Sequence, residues 1–369
     1  MNKASAIARF LSPLAVAALT LVAACSNPAV TTTSPTTSLP TSNPTPATTT
    51  TTALPVTTTA VEATTTTGLP IVTGIDEYPV PAGSHPHDVA PAPDGTIWYT
   101  GQSNASLGRL DPDSGDIDEI PLGPGSSPHG VIVGPDGAPW ITDSGLNAIV
   151  RVDPTTSEVD VFELPGGDAN LNTAVFDLDG ILWFTGQAGV YGRLDPGTGE
   201  IQAFDAPRGR GPYGITVTPS NEVFYASLAG NHIARIDQTT GVAEPIEPPT
   251  FAQGARRVWS DSNGVVWVAE WNAGQVGAYD SVTRQWREWA LPGNAPQAYA
   301  VYVDETDRVW LTDFSGAGAV VRFDPSTEIF ESYPLPTPGG NVRQILGLPG
   351  QVWGAESGAD ALVVIRYGG

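Results

Sequence analysis

From about residue 75 to its end, the chain is a succession of short apolar runs separated by Gly, Asp and Asn turns, and the succession repeats. An aromatic marks each repeat: Trp98, Trp140, Trp183, Phe224, Trp267, Trp310 and Trp353, at intervals of 42, 43, 41, 43, 43 and 43 residues. The residues around the marker recur in phase as DGTIWYT, DGAPWIT, DGILWFT, NEVFYAS, NGVVWVA, DRVWLT and GQVWGA, several followed by phrases such as LGRLDP, IVRVDP or VVRFDP. One unit, residues 128–166, contains four apolar runs, HGVIV, APWIT, AIVRVD and VDVFELP, joined by GPDG, SGLN and PTTSE. Runs this short between tight turns read as strands, and Asp136-Gly137 suits a hairpin because Gly accepts positive φ. Four such strands form a small antiparallel sheet with two apolar faces, which only neighbouring copies around an axis can cover. The pattern predicts an all-β, seven-bladed β-propeller over residues 75–369.

The last repeat stops after its third run, ALVVIRYGG, without a fourth of the SYPLP kind. A matching run sits at the other end: IDEYPVP, Ile75 to Pro81, resembles EIFESYPLP. It is expected to pair as the outer strand of the last blade, closing the ring and removing an exposed edge.

The segment before the repeats has a different composition. Residues 1–24 carry Lys3 and Arg9 and then an apolar stretch too short for a membrane span, the pattern of an export signal. Val22-Ala23-Ala24-Cys25 resembles a bacterial lipobox, making Cys25, the chain's one cysteine, the expected lipidation site. Residues 25–74 therefore read as a lipidated Cys and a Thr/Ser/Pro-rich tether without the apolar content to fold. The expected product is exported, held on the outer face of the membrane by its lipid alone, and monomeric.

Net charge is −23, from 16 basic and 39 acidic residues. Such a balance excludes nucleic acid as a partner and leaves a small-molecule, peptide or cell-envelope ligand.

The first strand of a propeller blade lines the axis, so its starting residue is the natural place for chemistry. Those positions read His87, His129, Asn172, Tyr213, Arg256, Tyr299 and Arg343, all with hydrogen-bonding side chains. A second ring, three residues after each marker, reads Gly101, Asp143, Gly186, Ser227, Glu270, Asp313 and Glu356. Two of only four histidines share one ring position in adjacent blades, and closure brings Glu356 round to the same arc. Imidazole with carboxylate suits either a divalent cation or a general base. Asp143, Glu356, Glu270 and Asp313 are the candidate metal ligands, and His87, Tyr213, Arg256, Tyr299 and Arg343 the candidate substrate contacts. His85, two residues before His87, is expected to point the same way in extended chain. His232 reads as a loop contact, and the recurring third-strand arginines, Arg109, Arg151, Arg193, Arg235, Arg322 and Arg366, as structural ion pairs. Trp271 and Phe314 sit beside the acids of the second ring.

SPHGVIVGPDGAPWIT, RGPYGITVTPSNEVFYAS, VVWVAEWNAGQVGAYD and ESYPLP resemble the streptogramin B lyases, also called virginiamycin B lyases, across residues 75–369. The resemblance implies a seven-bladed propeller that opens a cyclic depsipeptide without water, using Mg²⁺ and a histidine base in an elimination that breaks an ester C–O bond. It assigns the base to His129 (PHGV) and a substrate contact to His87 (PHDV). The chain departs from the family pattern at Ser127 and Ser144, where the family carries metal-binding glutamates. It departs again at Tyr299 and Arg343, where the family's histidines lie. A related lactonase or esterase, or a propeller that binds an envelope ligand without turning it over, stands beside the lyase reading.

Overall fold

The computed structural model describes residues 71–368, and these contain 28 strands in seven four-stranded antiparallel sheets and no helix. Six sheets are consecutive: residues 86–121, 128–163, 171–205, 212–246, 255–290 and 298–334 each supply one blade. The first strands of neighbouring blades contact one another all the way round, including the last with the first, so the ring is closed about an axis. The seven-bladed propeller expected from the repeat is the fold found. The expected signal sequence, Cys25 and most of the expected tether lie outside the described residues.

Closure also follows the sequence. The strand Ile71–Pro79 runs antiparallel to Ala361–Gly368 as the outer strand of blade seven, with Tyr78 opposite Leu362 and Glu77 opposite Val363. It begins four residues earlier than expected and ends two earlier. The segment Ile71–Gly74 therefore belongs to the blade and not to the tether. Val80 continues the joint through its amide to the Asp360 carbonyl at 2.9 Å, and Glu77 accepts from the amide and hydroxyl of Thr337 at 2.7 Å each.

The apolar residues are distributed as the topology requires. Seven core clusters occupy the seven junctions between adjacent blades. Trp98, Trp183, Trp310 and Trp353 are fully buried in them, and truncating such a ring typically costs about 3–5 kcal/mol. The marker also explains the recurring arginines. Trp98, Trp140, Trp183 and Trp310 lie directly across the ladder from Arg109, Arg151, Arg193 and Arg322, whose guanidiniums sit 5.4–5.9 Å from the ring centroids. Arg151 pairs with Asp136 and Asp160, Arg235 with Glu222, Arg322 with Glu331 and Arg366 with Asp76. Four of the six thus form the ion pairs that periodicity suggested, whereas Arg193 bonds the neutral Gln202 side chain and the Gln238 carbonyl, and Arg109 stacks over Trp98.

Removing residues 71–80 should lower the melting temperature of the propeller by roughly 10 °C or more, because it uncovers the edge of Ala361–Gly368 and opens the junction between blades seven and one. Removing residues 26–70 should leave it unchanged. Calorimetry of the two truncations decides, and equal melting temperatures would refute the closing strand.

Candidate functional site

Each first strand is interrupted near its start by a shift in register. The shifts fall between residues 86/89, 128/130, 171/174, 212/215, 255/257, 298/301 and 342/345. A bulge sets two residues against one and re-aims the side chains beside it. In four of the blades a threonine two residues after the tryptophan stabilises this geometry. Thr100, Thr142, Thr185 and Thr312 accept from the amides of Asp88, Gly130, Thr173 and Ala300 within their own blades at 2.9–3.3 Å. Three of the same hydroxyls donate to the carbonyls of His129, Asn172 and Tyr213 in the next blade. Each tie fixes the neighbour's channel residue. Gly130 is required at its bulge, since a Cβ there would lie 2.5 Å from the Asn172 carbonyl oxygen.

The predicted channel residues meet. His87 and His129 have ring centroids 3.7 Å apart, and His129 packs edge-on to Tyr213 at 5.9 Å. The Tyr213 and Tyr299 hydroxyls are 2.7 Å apart. Arg256 donates to the Tyr213 hydroxyl at 2.9 Å and Arg343 to the Tyr299 hydroxyl at 3.2 Å. Both histidines and both tyrosines are buried. Trp271, Phe314 and Tyr299 form an aromatic wall, with Phe314 stacked on Tyr299 at 4.3 Å.

Two residues that the sequence reading passed over organise this cluster. Asp88 lies 2.8 Å from His87 Nδ1 and accepts from Arg257 at 2.7 and 3.1 Å, across the axis from blade one to blade five. Arg257 also reaches the Thr173 hydroxyl at 2.9 Å. All of Asp88, Arg257 and His87 are at most 4% exposed. Beneath them the channel narrows to a cavity of about 30 Å³ lined by Asp88, Thr173, Arg257 and Gln344 among others, space for about one or two waters. The signal for both residues was adjacency, Asp88 to His87 and Arg257 to Arg256, but strict alternation assigns such neighbours to opposite faces.

The two imidazoles are held differently. His87 donates from Nδ1 to the Asp88 carboxylate, leaving the lone pair on Nε2. His129 has Nδ1 on the Asn172 carbonyl at 3.0 Å, while its Nε2 lies 3.2 Å from the Asn172 amide nitrogen, so its lone pair is already engaged. Burial holds His87 well below the ordinary histidine value, and the guanidiniums of Arg257, Arg343 and Arg256 add to the effect. Burial does the same to His129, with His87 alongside it. Both are neutral at neutral pH. Burial would push the Tyr299 phenol up, but Arg256, Arg343 and Arg257 outweigh it and hold Tyr299 below its usual value; Tyr213 is pushed up by burial and then by Tyr299.

The second ring does not join them. Its members pair across the ladder with the residue before each channel residue, Pro128 opposite Asp143 and Val342 opposite Glu356, and alternation turns them away. Asp143 accepts from the Ser127, Gly145 and Leu146 amides and the Ser126 hydroxyl, and Asp313 from the Gln297 and Ser315 amides and the Ser315 hydroxyl. Their carboxylates organise turns. Glu270 and Glu356 are buried within their blades. Among the described residues, the one group of three possible metal ligands within mutual reach is His87, Asp88 and His129. Asp88 is committed to Arg257, and two further guanidiniums face the group, so its charge disfavours a cation such as Mg²⁺. The expected Mg²⁺ ligand set does not fit.

His85 does not widen the site as extended chain would. Its φ is +45°, its amide donates to Asp360, and its Nδ1 lies 3.0 Å from the Ser357 carbonyl. His232 bonds the Gly230 carbonyl as a loop contact. A cavity of about 530 Å³ lies along Asp94, Asp111, Asp113, Asp116 and Asp118 and includes no channel residue.

Fold and mouth together define a seven-bladed propeller with a polar side-chain cluster on its axis. Residues 32–285, more than half of the chain, match the virginiamycin B lyase family. The chain belongs to that family. Among solved structures it resembles a streptogramin B lyase, with a TM-score of 0.73 and 24% identity over 80% of this chain and 97% of the other. It also resembles virginiamycin B lyase from Staphylococcus aureus, with a TM-score of 0.74 and 21% identity over 79% and 99% of the two chains. A catalytically inactive variant of that S. aureus enzyme with quinupristin matches equally well. At these identities the likeness is one of fold. No curated protein matches the sequence.

The buried acids give a pH test. Burial pushes Glu270 up to about 8, and burial with the nearby Glu77 carboxylate pushes Glu356 up to about 8. The folded state then keeps protons that the unfolded chain releases above about pH 4.5, so stability should fall as pH rises from there to about 8. Glu270→Gln with Glu356→Gln should flatten that part of the melting-temperature profile. Parallel profiles for the double variant and the parent would contradict the assignment.

Proposed function

We propose that this propeller is a carbon-oxygen lyase that opens a cyclic depsipeptide or lactone-like ester at the mouth of the channel. The observation that carries the reading is the His87–Asp88 dyad on the axis of a virginiamycin B lyase family propeller. His87, with its lone pair on Nε2, serves as base in place of His129, whose two nitrogens are occupied by Asn172. Nε2 takes a proton from the carbon next to the one bearing the ester oxygen. The C–H electron pair becomes a C=C bond, the C–O bond breaks, and the oxygen departs in a carboxylate. Asp88 holds the ring and stabilises the imidazolium that forms. No step in this scheme needs a metal ion, and activity is expected to survive chelation.

Family membership and the dyad favour the lyase. The second reading, a propeller that binds without turnover, draws on the aromatic wall of Trp271, Phe314 and Tyr299. We further propose that the chain is an exported lipoprotein anchored through Cys25, in which case Cys25→Ser should move it out of the membrane fraction. Unchanged membrane association would refute the anchor.

Mass spectrometry of reactions with a panel of cyclic depsipeptides and lactones tests the chemistry. Elimination gives a linear product of the same mass as its substrate, whereas a lactonase or esterase adds one water. His87→Ala should cost about 10²–10⁴-fold in turnover, and the acid limb of kcat/KM should lie below the ordinary histidine range. Loss of activity in His129→Ala but not in His87→Ala would return the base role to His129. No turnover of any member, with or without divalent ions, would sink the lyase reading in favour of binding.

A further inference from the structure

In a chain with more than twice as many acids as bases, the mouth of the channel carries the opposite sign. Arg256, Arg257 and Arg343 converge there, and the one carboxylate that faces them, Asp88, is committed to Arg257. Three guanidiniums stand against one acid. Neither Arg256 nor Arg343 makes an ion pair among the described residues, and the neutral histidines beside them add no negative charge.

The geometry of the two unpaired cations is fixed and incomplete. The Arg256 guanidinium lies 3.6 Å from the Tyr299 ring centroid, 4.4 Å from Tyr213 and 5.0 Å from Trp271. It spends one nitrogen on the Tyr213 hydroxyl, while its Nε is buried with no hydrogen-bond partner. Leaving a buried donor unmade is costly. Arg343 is held by Nε on the Ser357 hydroxyl at 2.6 Å and by Nη1 on the Tyr299 hydroxyl at 3.2 Å. Arginine held rigid and half-desolvated, with donors to spare, matches a planar oxyanion, and the adjoining wall of Trp271 and Phe314 suits an apolar group attached to it.

We propose that Arg256 and Arg343, linked through the paired Tyr213 and Tyr299 hydroxyls, form a carboxylate-binding site for a ligand whose acid group adjoins an aromatic or other large apolar side chain. An acyl amino acid or the free carboxyl end of a peptide is the fitting class. The site deepens the lyase reading, on which its catalytic meaning rests, because elimination releases such a carboxylate beside these guanidiniums. Binding itself does not depend on that reading.

The test uses N-acetylphenylalanine and its uncharged amide, titrated into the intact propeller by calorimetry. The acid should bind at least about 10-fold more tightly than the amide, as expected for charge-assisted hydrogen bonds, and added salt should weaken only the acid. Arg343→Gln and Arg256→Gln should each remove most of that preference, and Arg343→Lys should restore part of it without the bidentate geometry. Equal binding of acid and amide, no binding of either, or an acid preference untouched by both substitutions would overturn the proposal. The two readings fail separately. Acid binding without any ester opening keeps the site and loses the lyase, whereas ester opening that is indifferent to Arg256→Gln and Arg343→Gln keeps the lyase and loses the site.

Discussion

The ion pair between Asp88 and Arg257 spans the axis of the ring, joining blade one to blade five through two hydrogen bonds of 2.7 and 3.1 Å with almost no solvent contact. A buried pair of this kind is a poor source of net stability, because removing both charges from water costs about as much as their attraction returns. Its consequence is positional. It floors the mouth, reduces the channel below to a cavity of about 30 Å³, and fixes the carboxylate that orients His87. Every other feature of the pocket is arranged around that crossing. His87 owes its tautomer to Asp88, Thr173 is tied to Arg257, and Arg256, next in the chain to Arg257, is carried to the rim with its neighbour.

A propeller is close to symmetric, yet a site needs asymmetry, and here the two are separated by radius. Away from the axis the repeat holds, with the tryptophan, its arginine and the turn aspartates recurring from blade to blade because each solves the same packing problem. At the axis the bulges free the side chains from that requirement, and each blade contributes a different group. Threonine ties His129, Asn172 and Tyr213 from the preceding blades; the preceding blades of His87, Arg256 and Tyr299 carry Ala355, Ala226 and Ala269 at the same position. The groups with the fewest backbone restraints are thus among those placed for chemistry.

This division also governs what the sequence discloses. Blade number, strand order and the closing strand were legible because they rest on periodic burial, which repeats seven times and so averages out local irregularity. The first ring was legible for the same reason. What alternation hides is the extra inward residue at each bulge, so Asp88 and Arg257 were invisible although they adjoin residues that had been singled out. The acids of the second ring were misplaced by a related assumption. Proximity in sequence to the mouth suggested Asp143 and Asp313 as metal ligands, but side chains at a strand end also serve the turns that follow, and a carboxylate surrounded by free amides is drawn to them. Glu270 and Glu356 are also followed by turns, but their carboxylates take no turn amide: Glu270 accepts from the Gln275 side chain at 2.6 Å, and both are buried within their blades.

On the lyase reading proposed above, this cluster would answer the central electrostatic problem of ester cleavage with fixed guanidiniums. Charge develops on the departing oxygen, and a preorganised cation in a water-poor pocket stabilises it far more than the same cation in water. A divalent ion would supply that charge through several anionic ligands, whose own negative field must be tolerated near the substrate. Arg256 and Arg343 supply it without any ligand carboxylates, which is consistent with the second-ring acids being turned away. Burial keeps both imidazoles neutral, and at His87 the guanidiniums add to it, so on that reading the same cations that favour an anionic leaving group also hold the base unprotonated until a substrate delivers the proton. Asp88 resolves the resulting conflict. By neutralising Arg257 and accepting from His87, it offsets the field at the ring that the proposed elimination would charge, while the unpaired Arg256 and Arg343 stay at the rim where that reaction would release its carboxylate.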